Sequence, residues 1–173
     1  PSPSGPPGGN FLPFRLHNGV VYVSGRIPEA LSAEALADPE KARVKGLIAT
    51  DPALLKDGKF LCGKVGNATS SGLQVSVEEA RVAARLCTIS LLISLKQACP
   101  GGDLGKVKSF LRVEGFVNGE PDFSAHPTVI NGCSDMLCDL FGPEIGAHSR
   151  FAVGSGSLPL GVAVEIACVA VVE

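Results

Sequence analysis

Two residues in the C-terminal part of the chain have the types and spacing for chemistry. Arg150 and Glu165 bracket the uncharged run FAVGSGSLPLGVAV, and no further charge occurs after Glu165 until the final Glu173. Glu165 therefore interrupts a segment otherwise suited to burial. An ionised carboxylate in such a place is costly unless it is paired or opens onto a polar cleft. Two readings stay open at the level of the residues. In one, Glu165 and Arg150 form a structural ion pair, and losing either partner strands a buried charge. In the other, Glu165 is a catalytic carboxylate, and the Arg150 guanidinium clamps a substrate carboxylate through two parallel hydrogen bonds.

Other polar groupings carry less. The stretch GKVGNATS lacks the GxxxxGK[ST] spacing of a phosphate loop. The GSGS at 154–157 opens no helical pattern and reads as a turn. His17 falls in a hairpin turn facing water, and His126 stands at a helix start where it can help cap the helix. His148, two residues before Arg150, is placed to border any cleft that Arg150 lines. No Ser–His–acid triad can be assembled from the sequence, and no nucleophile-elbow motif occurs. The six cysteines include no CxxC, and Cys133 and Cys138 diverge on one helix. Several lie inside apolar periodic segments, and the cysteines read as small buried hydrophobes in a reducing, cytoplasmic setting. Neither a metal site nor a cofactor is expected.

The bulk composition narrows the function classes. The 173 residues are 45% hydrophobic and 18% charged, with a net charge of −2. The near-neutral balance and the absence of a basic run argue against a nucleic-acid or anionic-membrane surface. No apolar run reaches the roughly 20 residues of a membrane span. The first ten residues, PSPSGPPGGN, read as a disordered tail rather than a signal peptide.

The elements that must position Arg150 and Glu165 follow from periodicity. FLPFRLHNGVVYVSG predicts two strands joined at His17-Asn18-Gly19. Residues 28–75 form a long, irregular insertion with a short helix or two. From Ser76 to about Ala98 an apolar stripe at helical spacing follows a capping box, Ser76 with Glu79. A strand over 106–117 is predicted to turn Val107, Leu111 and Val113 to one side, with Phe110 as the exception. A second helix over about 127–141 is predicted to bury Val129, Ile130, Cys133, Met136, Leu137 and Leu140, and to end at Gly142-Pro143. Strands follow at 150–153 and about 161–172. The last is apolar on both faces, so both must be covered, one by helices and the other by a second subunit. The order ββ, helix, β, helix, ββ predicts an α+β domain over 11–173 with two helices on one face of a sheet.

Three segments resemble the YjgF/Rid family: LPFRLHNGVVYVSGRIP, VINGCSDML and, most specifically, HSRFAVGSGSLPLGVAVEIACVAVV. They carry Val23-Ser24-Gly25-x-Ile27-Pro28 near the start, and Arg150, Leu158-Pro159 and Glu165 at family spacing. The resemblance implies a chorismate-mutase-like, mixed-sheet protomer that assembles as a homotrimer with active sites between subunits. It implies hydrolytic deamination of reactive 2-imino or enamine acids to 2-keto acids and ammonia, without a cofactor. Carried over, Arg150 holds the substrate carboxylate, Glu165 orients or activates water, and Ser24, Phe14 and Asn131 line the cleft. The chain departs from the family pattern in an insertion between Pro28 and Val75 that is longer than typical, and at three residues. Arg26 stands where the family often has Gln, Ala152 where it usually has Cys, and Phe14 where it has Tyr. The alternative is a small-carboxylate-binding or sensor protein using the same cleft without turnover. A third reading, ribonuclease or translation inhibitor, is opposed by the acidic balance and the scarcity of aromatic residues.

Overall fold

A computed structural model of the chain describes residues 9–29, 55–56, 60–66 and 74–173. The expected tail falls almost wholly outside the described residues. So does most of the 28–75 insertion, including the part read as helical.

The N-terminal hairpin forms as predicted, with β1 (Phe14–His17) antiparallel to β2 (Val20–Arg26). Asn18 and Gly19 take φ values of 49° and 76°, the left-handed pair that matches a two-residue turn to strand twist. From the insertion come four two-residue strands, β3 (Leu55–Lys56), β4 (Phe60–Leu61), β5 (Lys64–Val65) and β6 (Gln74–Val75). Its distal part enters the core through Leu61, Val65 and Val75, all fully buried.

Helix α1 (Val77–Ala98) starts where the capping box places it. Ser76 Oγ accepts from the Glu79 N–H at 3.3 Å, and the Glu79 carboxylate accepts from the Ser76 N–H at 2.7 Å. After β7 (Val107–Val117), α2 (His126–Gly146) runs to a break at Gly142, φ 78°, followed by one more turn from Pro143. Gly132 of α2 sits so close to the Arg81 carbonyl of α1 that a Cβ would clash, which lets the helices pack tightly. Then come β8 (Ser149–Gly154) and β9 (Val164–Val172). The five-stranded sheet has the order β1-β2-β9-β7-β8, mixed because β7 and β8 pair in parallel while the other neighbours are antiparallel. Both helices cover one face, over Val21, Val23, Val113, Ile166, Cys168 and Ala170. This is the predicted α+β architecture.

Four local expectations need correction. In β7, Phe110 is buried and Leu111 is 45% exposed, because register shifts against β9 between 107 and 112 break the simple alternation. In α2, Leu140 is 55% exposed, and the last turn instead presents Phe141, edge-on to Phe110 at 5.1 Å. His126 caps nothing: the N-cap is Ala125 without a side-chain bond, and the imidazole packs edge-on against Phe123. β9 starts at Val164 because Pro159–Gly161 forms a 3-10 turn with Leu160 at φ 58°. Five cysteines are buried as expected, and Cys138 is half-buried.

Candidate functional site

Arg150 and Glu165 lie on opposite faces of the sheet. Arg150 pairs with Val113 of β7, a fully buried residue beneath the helices. Glu165 pairs with Phe116, three residues further along the same unbroken register and therefore on the other face. Neither residue makes an ion pair among the described residues, so within one protomer the structural-pair reading does not hold.

Arg150 is on edge strand β8 and reaches across to α2. Its Nη1 donates to Ser134 Oγ at 2.8 Å, and its Nη2 donates to the Pro127 carbonyl at 3.3 Å. These acceptors are two helical turns apart in sequence yet converge on one guanidinium. The Pro127 carbonyl points down the helix, while the Ser134 side chain leans back toward its N-terminus. Both acceptors are neutral. Arg150 is half-buried, and among the described residues no carboxylate pairs with it. Of the five guanidinium N–H donors, three stay unbonded among the described residues, enough to form a fork for a carboxylate. Asn131 occupies the same helical stripe between Pro127 and Ser134, half-buried, its side chain without a hydrogen bond among the described residues.

Ser134 also bonds His148, Oγ to Nε2 at 3.0 Å, and His148 Nδ1 contacts the Gly146 carbonyl at 2.6 Å. The expected nearness of His148 to Arg150 thus takes the form of a relay through Ser134. Ser134 was not singled out from the sequence. The one available signal was its position three residues after Asn131, on a face that seemed only to be the rim of a core helix.

On the opposite face, Glu165 lies half-buried over Gly25 of β2, where a Cβ would be 3.0 Å from its Cδ. Burial raises its carboxyl pKa above the ordinary value. Gly25 falls at a register shift between Val23 and Arg26, which gives the glutamate its room. Around it on this open face are the half-buried Ala167, Val169, Val171 and Phe116, with Tyr22 53% exposed nearby.

Ser24 and Phe14 line a shallow groove of about 310 Å³ with Phe11, Leu12, Arg15, Tyr22 and Val23. Ser24 Oγ donates to the Leu12 carbonyl at 2.7 Å, and Phe14 packs partly against the core. The groove includes neither Arg150 nor Glu165. The chain thus displays the Arg150 guanidinium on one face of the sheet, and the Glu165 carboxylate and the β1–β2 groove away from it. Arg26 is committed to structure, with Nη2 donating to the Pro13 carbonyl at 3.0 Å and its pKa lowered by burial.

The fold and these motifs define a family. The model for "YjgF/chorismate mutase-like, putative endoribonuclease" matches residues 10–171, and the chain belongs to that family. It is 40% identical over 152 residues to Protein TCP17 of Trypanosoma cruzi, covering 84% of this chain and 94% of that protein. Among solved structures, it resembles protein Atu1372 of Agrobacterium tumefaciens, a protein of unknown function, with a TM-score of 0.71 and 29% identity. That match covers 95% of this chain and 82% of the other. A putative endoribonuclease of Shewanella oneidensis aligns with a TM-score of 0.69 and 27% identity over 95% of this chain and 86% of its own.

Proposed function

We propose that the protein hydrolyses reactive 2-imino or enamine acids to 2-keto acids and ammonia in a cleft between subunits of a homotrimer. The observation that carries this reading is the half-buried Arg150 guanidinium, held by neutral acceptors, with donors to spare and no carboxylate partner among the described residues. A half-buried cation in that state suits an anionic ligand. The opposite placement of Arg150 and Glu165 supports a site shared between subunits, in which Arg150 of one chain meets the open sheet face of the next.

In such a cleft Arg150 binds the substrate carboxylate. Glu165 accepts a proton from water as the water oxygen bonds to the imine carbon. Glu165 returns that proton to the nitrogen, giving a carbinolamine. The hydroxyl then loses its proton to the nitrogen by way of the carboxylate, the C=O forms as the C–N bond breaks, and ammonia leaves. The burial that raises the Glu165 pKa brings it closer to neutral pH, where a general base works best. Ser24, Phe14 and Asn131 line the cleft. The family's other suggested activity, on RNA, is less well supported, since the net charge of −2 gives little attraction for a phosphate backbone. A carboxylate-binding protein without turnover would use the same Arg150. Phe14 favours that alternative where it lacks the hydroxyl of the family's tyrosine.

The test generates the imino acid in situ with an amino-acid oxidase and follows the release of ammonia and keto acid. Arg150→Ala is expected to lower kcat/KM by roughly 10²–10³-fold and Arg150→Lys by about tenfold or more, since lysine loses the planar fork. Wild-type activity in Arg150→Ala would refute the proposal. Carboxylate binding without accelerated ammonia release would favour the non-catalytic alternative.

A further inference from the structure

The hydrogen bonds around Arg150 can be given a direction from elementary chemistry. A guanidinium only donates, so Ser134 Oγ accepts from Arg150 Nη1. A carbonyl only accepts, so the proton on the His148 ring facing Gly146 resides on Nδ1. One contact is left, between Ser134 Oγ and His148 Nε2 at 3.0 Å. The tautomer with its proton on Nδ1 presents the Nε2 lone pair to the serine and accepts a hydrogen bond from its hydroxyl. The chain of donors then runs Arg150 to Ser134 to His148 to the Gly146 carbonyl.

We propose that Ser134 and His148 are positioning residues that hold the Arg150 guanidinium in its carboxylate-binding orientation. The inference rests on the reading of Arg150 as a carboxylate clamp. Its physical content is restriction of rotamers. Arginine has long, freely turning side-chain torsions, and a bidentate contact is strong only when the fork is already aimed. Ser134 on α2 and the Pro127 carbonyl anchor the two terminal nitrogens. His148 in turn fixes the serine hydroxyl, so that its lone pairs face Arg150 rather than rotating. Gly146, at the end of the last helical turn, fixes His148. The relay thereby ties the clamp on edge strand β8 to both ends of the α2–β8 connection.

The test is binding of a 2-keto acid such as pyruvate, read by calorimetry, together with 15N NMR of the histidine rings. With three histidines in the chain, the ring signals can be assigned by substitution. Expected results are roughly tenfold weaker binding in Ser134→Ala, recovery in Ser134→Thr, which restores a hydroxyl, and a His148 ring protonated on Nδ1 in the wild type. Adding the keto acid is expected to shift the His148 resonances in the wild type and not in Ser134→Ala, a coupling that a purely structural serine would not produce. Arg150→Ala serves as the reference. If it binds as tightly as wild type, the clamp reading itself fails. If Arg150→Ala loses binding while a folded Ser134→Ala keeps it, the relay is refuted and the clamp stands. A His148 ring protonated only on Nε2 would also overturn the relay.

Discussion

Replacing Gly25 with alanine should disable Glu165 without altering it. A Cβ on Gly25 would lie 3.0 Å from Glu165 Cδ and 3.3 Å from its Cγ, and would overlap the nearer carboxylate oxygen. Ordinary carbon contacts are about 3.5–4.0 Å, so the carboxylate must retreat by about 1 Å. The group that yields is the far end of a flexible side chain, and Gly25 does not hold a positive φ. The fold should therefore survive, with a melting shift within about 4 °C. A misplacement of about 1 Å at a reacting group costs on the order of 10²-fold in rate. The assay compares kcat for imino-acid hydrolysis in Gly25→Ala and in Gly156→Ala, whose added Cβ meets nothing within 4 Å. The expected result is a kcat lowered about 10²-fold in the first and unchanged in the second, with keto-acid binding through Arg150 retained in both. Wild-type kcat in Gly25→Ala would show that the Glu165 carboxylate is not used where the structure holds it.

Two further outcomes follow from the same geometry. Because burial raises the Glu165 pKa, the native state holds a proton that the unfolded chain has already lost above about pH 4.3. Stability contributed by this group therefore falls as pH rises from that value through the raised pKa. Glu165→Gln should melt higher than wild type at pH 7 and equally at pH 4 by calorimetry; a gap independent of pH would contradict the burial argument. The open sheet face around Val169 and Val171 is expected to be covered in a closed trimer. Light scattering should give about three times the chain mass of 17.7 kDa, and a stable monomer at micromolar concentration would remove the shared cleft.

The long helices, the hairpin and the order of elements were legible because their signals are local. Helical spacing after the Ser76 capping box predicted α1, and Asn18-Gly19 dictated the turn through its backbone preference. The spacing of Arg150, Leu158-Pro159 and Glu165 likewise marked the family without reference to any contact. Sequence could not tell which side of the sheet each of the two charged residues occupies. Strand alternation predicts faces only within an unbroken run, and the 3-10 turn at Pro159–Gly161 separates β8 from β9. Whether the two residues could meet was therefore decided by the register of each strand against β7, a long-range property. The same limitation exchanged Phe110 and Leu111 at the register shifts of β7. Ser134 was hidden for a related reason. Its role depends on α2 lying across β8 so that a serine on the helix rim meets an arginine sixteen residues later. Local propensity sets which elements form; only packing decides which side chains those elements bring together.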